Sequence, residues 1–163
     1  MYRIKILKNS TIQFLFLILL TFKKSYQKLV GISTNGARAV IINDKEEVLL
    51  VMHTYTPGWH FPGGGVDKGE SPREAVIREV REEAGVIVQE NPVIFECYFN
   101  IYGGVDDIVS LYIIKKFQIQ KIKSKEIAEV KWFPINRLPE NASKATKRRI
   151  AEIFFNLEKS ERW

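Results

Sequence analysis

The sequence predicts an α/β domain in which helices pack against a mixed β-sheet. Runs of β-branched and aliphatic residues recur along the chain from Ala37 onwards, and two segments with helical periodicity interrupt them. The chain has 163 residues, which is enough for one domain with its own hydrophobic core. We take residues 35–163 as this domain and residues 1–34 as an N-terminal extension.

The elements follow in chain order. Residues 37–42 and 48–52 are strand candidates on either side of an Asn-Asp-Lys turn, so we expect a hairpin. A loop rich in glycine and proline comes next, and a helix is predicted over Pro72–Ala84. The remaining strand candidates are residues 86–88, 93–99, 108–119 and 129–133, and a final helix is predicted over residues 143–157.

The first predicted helix has well-defined ends. Ser71 is a favourable N-cap, Pro72 suits the first helical position, and Glu74 completes a capping box with Ser71. Gly85 is a typical C-terminal stop. These signals predict where the helix begins and where it ends.

Three carboxylates lie on one side of this helix. At about 100° per residue, Glu79, Glu82 and Glu83 share a face that borders the stripe of apolar residues. Like charges four residues apart repel, and a hard divalent cation such as Mg²⁺ would relieve that repulsion. The alternative is a solvated acidic face, in which Arg78 pairs with Glu74 and Glu82.

The chain is basic, with a net charge of +6, and its lysines and arginines cluster towards both ends. This charge suits anionic partners such as phosphate esters. No nucleic-acid-binding motif accompanies it, so we favour a solvated basic surface over RNA or DNA binding. A single cysteine, Cys97, excludes an internal disulfide and a zinc site built on paired cysteines, and its apolar neighbours predict that it is buried.

Residues 12–22 form an apolar run flanked by lysines. The run is about half the length of roughly 20 residues that a membrane span needs. The following residues lack the small-residue pattern of a signal-peptide cleavage site. We therefore favour a packed or surface-lying helix and a cytoplasmic protein, while membrane association through residues 12–22 and a cleaved signal remain alternatives.

The segment from Gly64 to Val86 resembles the Nudix box. That pattern is a glycine, five residues, a glutamate, seven residues, and then Arg-Glu-aliphatic-x-Glu-Glu-x-Gly-aliphatic. Every fixed place is filled here, by Gly64, Glu70, Arg78, Glu79, Val80, Glu82, Glu83, Gly85 and Val86. Residues 48–65 and 126–139 also resemble the flanking segments of bacterial Nudix hydrolases, so the resemblance covers most of residues 37–139.

The resemblance implies a fold, an activity and a cofactor. The fold is an α/β/α sandwich with a mixed sheet. The activity is cleavage of the diphosphate linkage of a small nucleoside diphosphate derivative by metal-activated water. Glu79, Glu82 and Glu83 would bind Mg²⁺ or Mn²⁺, and Glu70 with Arg78 would brace the box. The alternative is a non-catalytic nucleotide-sensing or partner-binding module on the same fold.

Further site residues follow from the same resemblance. Gly64 and Gly65 would let the backbone approach the diphosphate. Glu79 is the expected general base, and Glu126, from a later loop, is the alternative base or an additional ligand. Glu129 and Asp107 are further candidates for that role. Trp59 or Tyr102 would stack on the base of the substrate, unless these aromatic residues pack in the core.

Overall fold

A computed structural model describes residues 33–102 and 104–163, with the side chain of Tyr102 not described. The predictions for residues 12–22 and for stacking on Tyr102 therefore lie outside the described part. The helices are α1 (Pro72–Ala84) and α2 (Lys144–Phe154). The strands are β1 (Thr34–Ile41), β2 (Glu47–His53), β3 (Trp59–His60), β4 (Gly63–Gly65), β5 (Val86–Val88), β6 (Val93–Tyr102), β7 (Val105–Ile114), β8 (Phe117–Ile119) and β9 (Ile127–Pro134).

The main sheet is mixed and has four strands in the order β4-β1-β7-β6. Strand β1 is parallel to β7, whereas β4 is antiparallel to β1 and β6 is antiparallel to β7. A second, antiparallel sheet has the order β3-β2-β9, and β5 pairs with β8. The four-stranded sheet confirms the prediction of a mixed sheet.

Strand β1 separates two hydrophobic clusters. Ala39 and Ile41 pack on one side with Val76 and Val80 of α1. Val40 packs on the opposite side with a cluster that contains Ile150 of α2. Because alternate residues of a strand point to opposite faces, β1 buries both faces and joins the two layers. Helices cover both sides of the strands, as the predicted α/β/α sandwich requires.

The predicted hairpin between residues 37–42 and 48–52 is wrong. The turn forms, with the Asn43 amide donating to the carbonyl of Glu47 at 3.1 Å, but only one bridge, Ile42 to Val48, joins the two segments. Strand β1 then enters the four-stranded sheet, and β2 enters the other sheet with β3 and β9. Both edges of β1 are already occupied, by β4 and β7, so β2 finds its partners elsewhere.

Three other predictions needed correction. The segment 108–119 is two strands, because the chain leaves β7 after Ile114 and pairs with β5 as β8. The final helix ends at Phe154, so Leu157 lies outside it and is 45% exposed. Cys97 is exposed, not buried, because it lies on the face of the sheet opposite the buried Tyr98. Within residues 33–102 and 104–163, no helix is long and apolar enough to cross a membrane.

Candidate active site

Helix α1 begins and ends as the sequence predicts. The Glu74 amide donates to the Ser71 hydroxyl at 3.3 Å, and the Ser71 amide donates to the Glu74 carboxylate at 2.8 Å, which completes the capping box. Gly85 ends the helix with a left-handed backbone, at φ 67°. A side chain there would strain the backbone and collide with the carbonyl of Gln120. The helix register that aligns the carboxylates is therefore fixed at both ends.

Arg78 connects the acidic residues of the box. Its Nε and Nη2 donate to the two oxygens of Glu70, both at 2.9 Å, and its Nη1 donates to Oε1 of Glu79 at 2.7 Å. These hydrogen bonds from Arg78, with one from the Asp67 amide, hold the pKa of Glu70 at about 2. The predicted bracing pair of Glu70 and Arg78 thus forms. The alternative pairing of Arg78 with Glu74 and Glu82 forms only in part: Nη1 of Arg78 lies 3.6 Å from Oε2 of Glu82, whereas Glu74 caps the helix at Ser71.

The glycines of β4 lie against two carboxylates. The Gly63 amide donates to Oε2 of Glu83 at 2.8 Å. The Glu79 carboxylate occupies the space that a Cβ atom at Gly64 would fill, whereas nothing lies within 4 Å of such an atom at Gly65. The absence of a side chain at Gly64 is therefore what admits Glu79. Arg78 also donates to the Gly65 carbonyl, at 3.1 Å, which joins the strand to the helix.

Glu83 is the most deeply buried of the three carboxylates. Its pKa is raised to about 7, mainly by burial and also by the nearby charges of Glu79 and Glu126, whereas the Gly63 amide and Arg38 act in the opposite direction. The side chain of Glu82 is 53% exposed, and that of Glu79 is 16% exposed. One turn of the helix therefore presents carboxylates at three depths.

Two backbone contacts bring the later loop, residues 120–126, to the same place. At its start, the Gln120 amide donates to the Gly85 carbonyl at 2.9 Å. At its end, the Thr54 amide donates to the Glu126 carbonyl at 2.8 Å. The loop is thus fixed to the end of α1 on one side and to the end of β2 on the other. This arrangement places Glu126 close enough to Glu83 for their charges to interact.

Helix α1 and this loop line an open cleft with a volume of about 720 Å³. This volume is within the range of ligand pockets, about 300–1,000 Å³. Its charged lining is Arg78, Glu79, Arg81, Glu82, Glu83, Lys123, Lys125 and Glu126. Glu129 and Asp107 do not line it, and Asp107 instead accepts hydrogen bonds from Thr34 and Asn100 within the sheet.

The donor set of the cleft fits a hard divalent cation. Carboxylate oxygens are the ligands that Mg²⁺ prefers, and the mutual repulsion of Glu79, Glu83 and Glu126 would fall when a cation binds. Among the residues described, no three acidic, histidine or cysteine groups already form a compact cation site. Arg78 instead binds one oxygen of Glu79, and Glu82 extends towards solvent.

The structure makes Trp59 a core residue. Its side chain is buried and packs edge-on against Phe133 at 4.8 Å between ring centroids. Its carbonyl accepts hydrogen bonds from the Ser143 amide and the Thr146 hydroxyl at the start of α2. The predicted substrate contact at Trp59 is therefore wrong, since the indole is not available to a base.

Sequence reasoning missed His53. Its Nδ1 lies 3.8 Å from Oε1 of Glu83, and both side chains are 8% exposed. The pKa of His53 is lowered to about 4, mainly by burial, with electrostatic contributions from Arg38 and His60, so the ring is neutral at pH 7. An isolated histidine at the end of a strand gives no recognisable signal in a sequence.

The NUDIX domain family matches residues 33–154. The m7GpppN-mRNA hydrolase dcap-2 of Caenorhabditis elegans is 34% identical over 111 residues, which are 62% of this chain and 14% of that protein. A putative 8-oxo-dGTP diphosphatase of Bacillus subtilis is 46% identical over 52 residues, which are 32% of this chain and 35% of that protein. The chain thus spans well under two thirds of either relative.

Among solved structures, the MutT NUDIX hydrolase of Burkholderia pseudomallei is similar to this chain, with a TM-score of 0.66 and 25% sequence identity. The likeness covers 75% of this chain and 98% of that one. The match includes nearly the whole of the other protein, so the shared fold extends well beyond the box.

Proposed function

The chain belongs to the NUDIX domain family, and we propose that it is a divalent-cation-dependent hydrolase that cleaves the diphosphate linkage of a nucleoside diphosphate derivative. The observation that carries this proposal is the shared cleft of Glu79, Glu82, Glu83 and Glu126. Three of these carboxylates come from one helical turn, and the fourth comes from a loop more than forty residues later in the chain. Residues 35–163 would form the catalytic domain.

Glu79, Glu82 and Glu83 are the proposed ligands of Mg²⁺ or Mn²⁺, with Glu126 as a further ligand or as a base. When bound, such a cation neutralises charge on the diphosphate and makes water more acidic. Glu79 accepts a hydrogen bond from Arg78 through Oε1 and lies against Gly64. This fixed position suits a general base, which must lie within hydrogen-bond reach of the attacking water.

The other residues of the cleft would bind the substrate. Arg81, Lys123 and Lys125 line it next to the carboxylates, and their charges would attract the phosphate groups. Gly64 and Gly65 are proposed to contact the diphosphate through their backbone. Attack of water on phosphorus then breaks the phosphoanhydride bond, which gives a nucleoside monophosphate and the phosphorylated remainder of the substrate.

The buried Glu83 argues against a non-catalytic nucleotide-sensing module. A carboxylate with a pKa raised by burial costs folding stability when it ionises. A module that only binds nucleotide has no need of a cluster of acidic groups that repel both one another and the phosphates. We therefore favour catalysis as the reason for this arrangement.

The test is hydrolysis of a substrate panel in Mg²⁺. The panel contains 8-oxo-dGTP, dGTP, nucleoside diphosphate sugars, dinucleoside polyphosphates and capped or 5′-triphosphate RNA. The readout is the released nucleoside monophosphate or, for the RNA substrates, the 5′-monophosphate end that cleavage leaves on the RNA. Glu82→Gln removes a ligand from a half-exposed position, so we expect a loss of at least about a hundredfold in kcat with the fold intact.

Glu90→Gln is the matched control, because Glu90 is an exposed glutamate that lies outside the cleft. It should keep the activity of the unmodified protein. A Glu82→Gln protein that hydrolyses its best substrate at a near-normal rate would remove the proposed cation role. No hydrolysis of any panel member would count against the enzyme itself.

A further inference from the structure

His53 lies behind the carboxylate cluster. It is the last residue of β2, opposite Ile127 of β9, and it does not line the cleft. Its Nδ1 faces Oε1 of Glu83 at 3.8 Å. This nitrogen is buried and has no hydrogen-bond partner within the part of the chain that the structure describes.

A buried polar atom without a partner is costly, by about 1–3 kcal/mol. Such atoms are rare in folded proteins, and each one calls for an explanation. Here the neighbouring acceptor is close: Oε2 of Glu83 already accepts from the Gly63 amide at 2.8 Å, whereas Oε1 is the oxygen that faces His53. An approach of less than an ångström would convert this contact into a hydrogen bond of about 2.9 Å.

We propose that His53 is a positioning residue that donates from its Nδ1–H to Oε1 of Glu83 and so fixes the orientation of this carboxylate towards a bound divalent cation. The Gly63 amide would then donate to Oε2 of Glu83, and His53 would donate to Oε1. The remaining lone pairs of the carboxylate would face the cleft. Residues that orient a ligand in this way typically contribute about 10–100-fold to metal affinity. The inference rests on the cation site of the proposed function.

The surroundings of His53 favour this role. Its ring lies next to Tyr55 and His60, at 5.2 and 5.8 Å between ring centroids. The nearer of the two, Tyr55, restricts the ring, so Nδ1 stays directed at Glu83. His60 itself has a different partner, since its Nε2 lies 3.0 Å from the carbonyl of Pro57. His60 therefore offers a matched control of the same residue type in the same part of the fold.

The first experiment measures Mg²⁺ binding to the full chain by calorimetry, without nucleotide. An asparagine amide can take the place of Nδ1, whereas a glutamine amide reaches the place of Nε2. We therefore expect His53→Gln to weaken Mg²⁺ binding at least about tenfold, and His53→Asn to keep it within about threefold of the unmodified protein. His60→Asn should leave Mg²⁺ binding unchanged.

A structural role alone would lower the thermal unfolding temperature of both His53 variants without separating their Mg²⁺ affinities. Equal Mg²⁺ affinity of His53→Asn and His53→Gln would therefore overturn the inference. In the hydrolysis assay at saturating Mg²⁺, the positioning role predicts that His53→Gln lowers kcat and leaves the KM for the nucleotide substrate little changed.

The second experiment identifies the tautomer of His53 in the Mg²⁺-loaded protein by long-range ¹H–¹⁵N NMR. We expect the proton of the His53 ring on Nδ1 in the unmodified protein and on Nε2 in the Glu83→Ala variant. A proton on Nε2 in the unmodified protein would overturn the inference. Mg²⁺ binding with the expected tautomer but no hydrolysis would contradict the proposed function alone, and no Mg²⁺ binding at all would contradict both.

Discussion

The Glu79 carboxylate lies against the backbone of Gly64, in the space that a Cβ atom on this glycine would occupy. The contact joins the glycine strand β4 to the helix that carries the acidic residues. Arg78 strengthens the same connection, since it donates both to Glu79 and to the Gly65 carbonyl. The position of the proposed general base therefore depends on a residue that has no side chain.

Gly64→Ala should displace Glu79 from the cleft. The added methyl group would collide with the carboxylate, so we expect Mg²⁺ binding to weaken at least about tenfold and kcat to fall by a similar factor or more. Gly65→Ala is the control, because its methyl group meets no atom within 4 Å. Calorimetry should show unchanged Mg²⁺ binding for Gly65→Ala; equal affinities in the two variants would contradict the role of the Gly64 contact.

Arg78→Lys should weaken the hydrogen bonds by which this residue connects Glu70 to Glu79, while the chain still folds. Lysine cannot make the paired hydrogen bonds to Glu70 and reach Glu79 at the same time, so Glu79 loses its fixed position. We expect a loss of about 10–100-fold in kcat, measured with the best panel substrate. Arg73→Lys, an exposed position on the same helix, should behave as the unmodified protein, and a normal rate in Arg78→Lys would show that the brace is dispensable.

The stability of the cation-free protein should fall as the pH rises through the range in which Glu83 ionises. The folded-state pKa of Glu83 is about 7, against 4.5 for an ordinary glutamate. Between these values the folded protein retains a proton that the unfolded chain releases. The contribution of Glu83 to the free energy of unfolding therefore falls with rising pH and is lowest above pH 7. Below pH 4.5 both states are protonated and the penalty vanishes.

Glu83→Gln removes this penalty, because the amide stays neutral at every pH. We expect the variant to be more stable than the unmodified protein at pH 8, by on the order of 3 kcal/mol, and similar to it at pH 4. Urea unfolding in a chelator measures the difference. Glu90→Gln should keep the pH dependence of the unmodified protein, because Glu83 is still present. A Glu83→Gln variant less stable than the unmodified protein at pH 8 would show that Glu83 is ionised at little cost.

Two arginines that share one carboxylate should differ in their contributions to stability. Arg149 is fully buried and donates to Oε1 of Glu152 at 2.7 Å. Its guanidinium carbon lies 3.9 Å from the centroid of the Tyr98 ring. Arg148 donates to the same oxygen at 3.1 Å from a half-exposed position. Breaking a buried pair costs about 3–5 kcal/mol, whereas an exposed pair contributes about 0–1 kcal/mol.

Arg149→Gln should therefore lower the free energy of unfolding by several kcal/mol, and Arg148→Gln by less than about 1 kcal/mol. Chemical denaturation of both variants at pH 7 gives the comparison. Similar losses in the two proteins would mean that burial does not distinguish the two ion pairs. Hydrolysis should be retained in both, since neither residue lines the cleft.

Local chemistry made much of the site predictable from the sequence. The capping box at Ser71 and Glu74 and the stop at Gly85 fixed the helix, and its periodicity then aligned Glu79, Glu82 and Glu83. These features depend on residues a few positions apart. The strand pairing of β1 and β2 was not predictable in this way, because the choice of partner depends on which sheet edges the rest of the chain has filled.

The sequence by itself thus determined the family, the helix and the face on which three carboxylates lie. Tertiary structure decided which distant groups lie near that face. Backbone contacts of Gln120 and Thr54 place Glu126 beside it, and His53 lies behind Glu83. Trp59, in contrast, is buried in the core. The physical reason is that helix periodicity and capping are local. Contacts between distant segments, and the burial that raises the pKa of Glu83, exist only after the sheets and loops have packed.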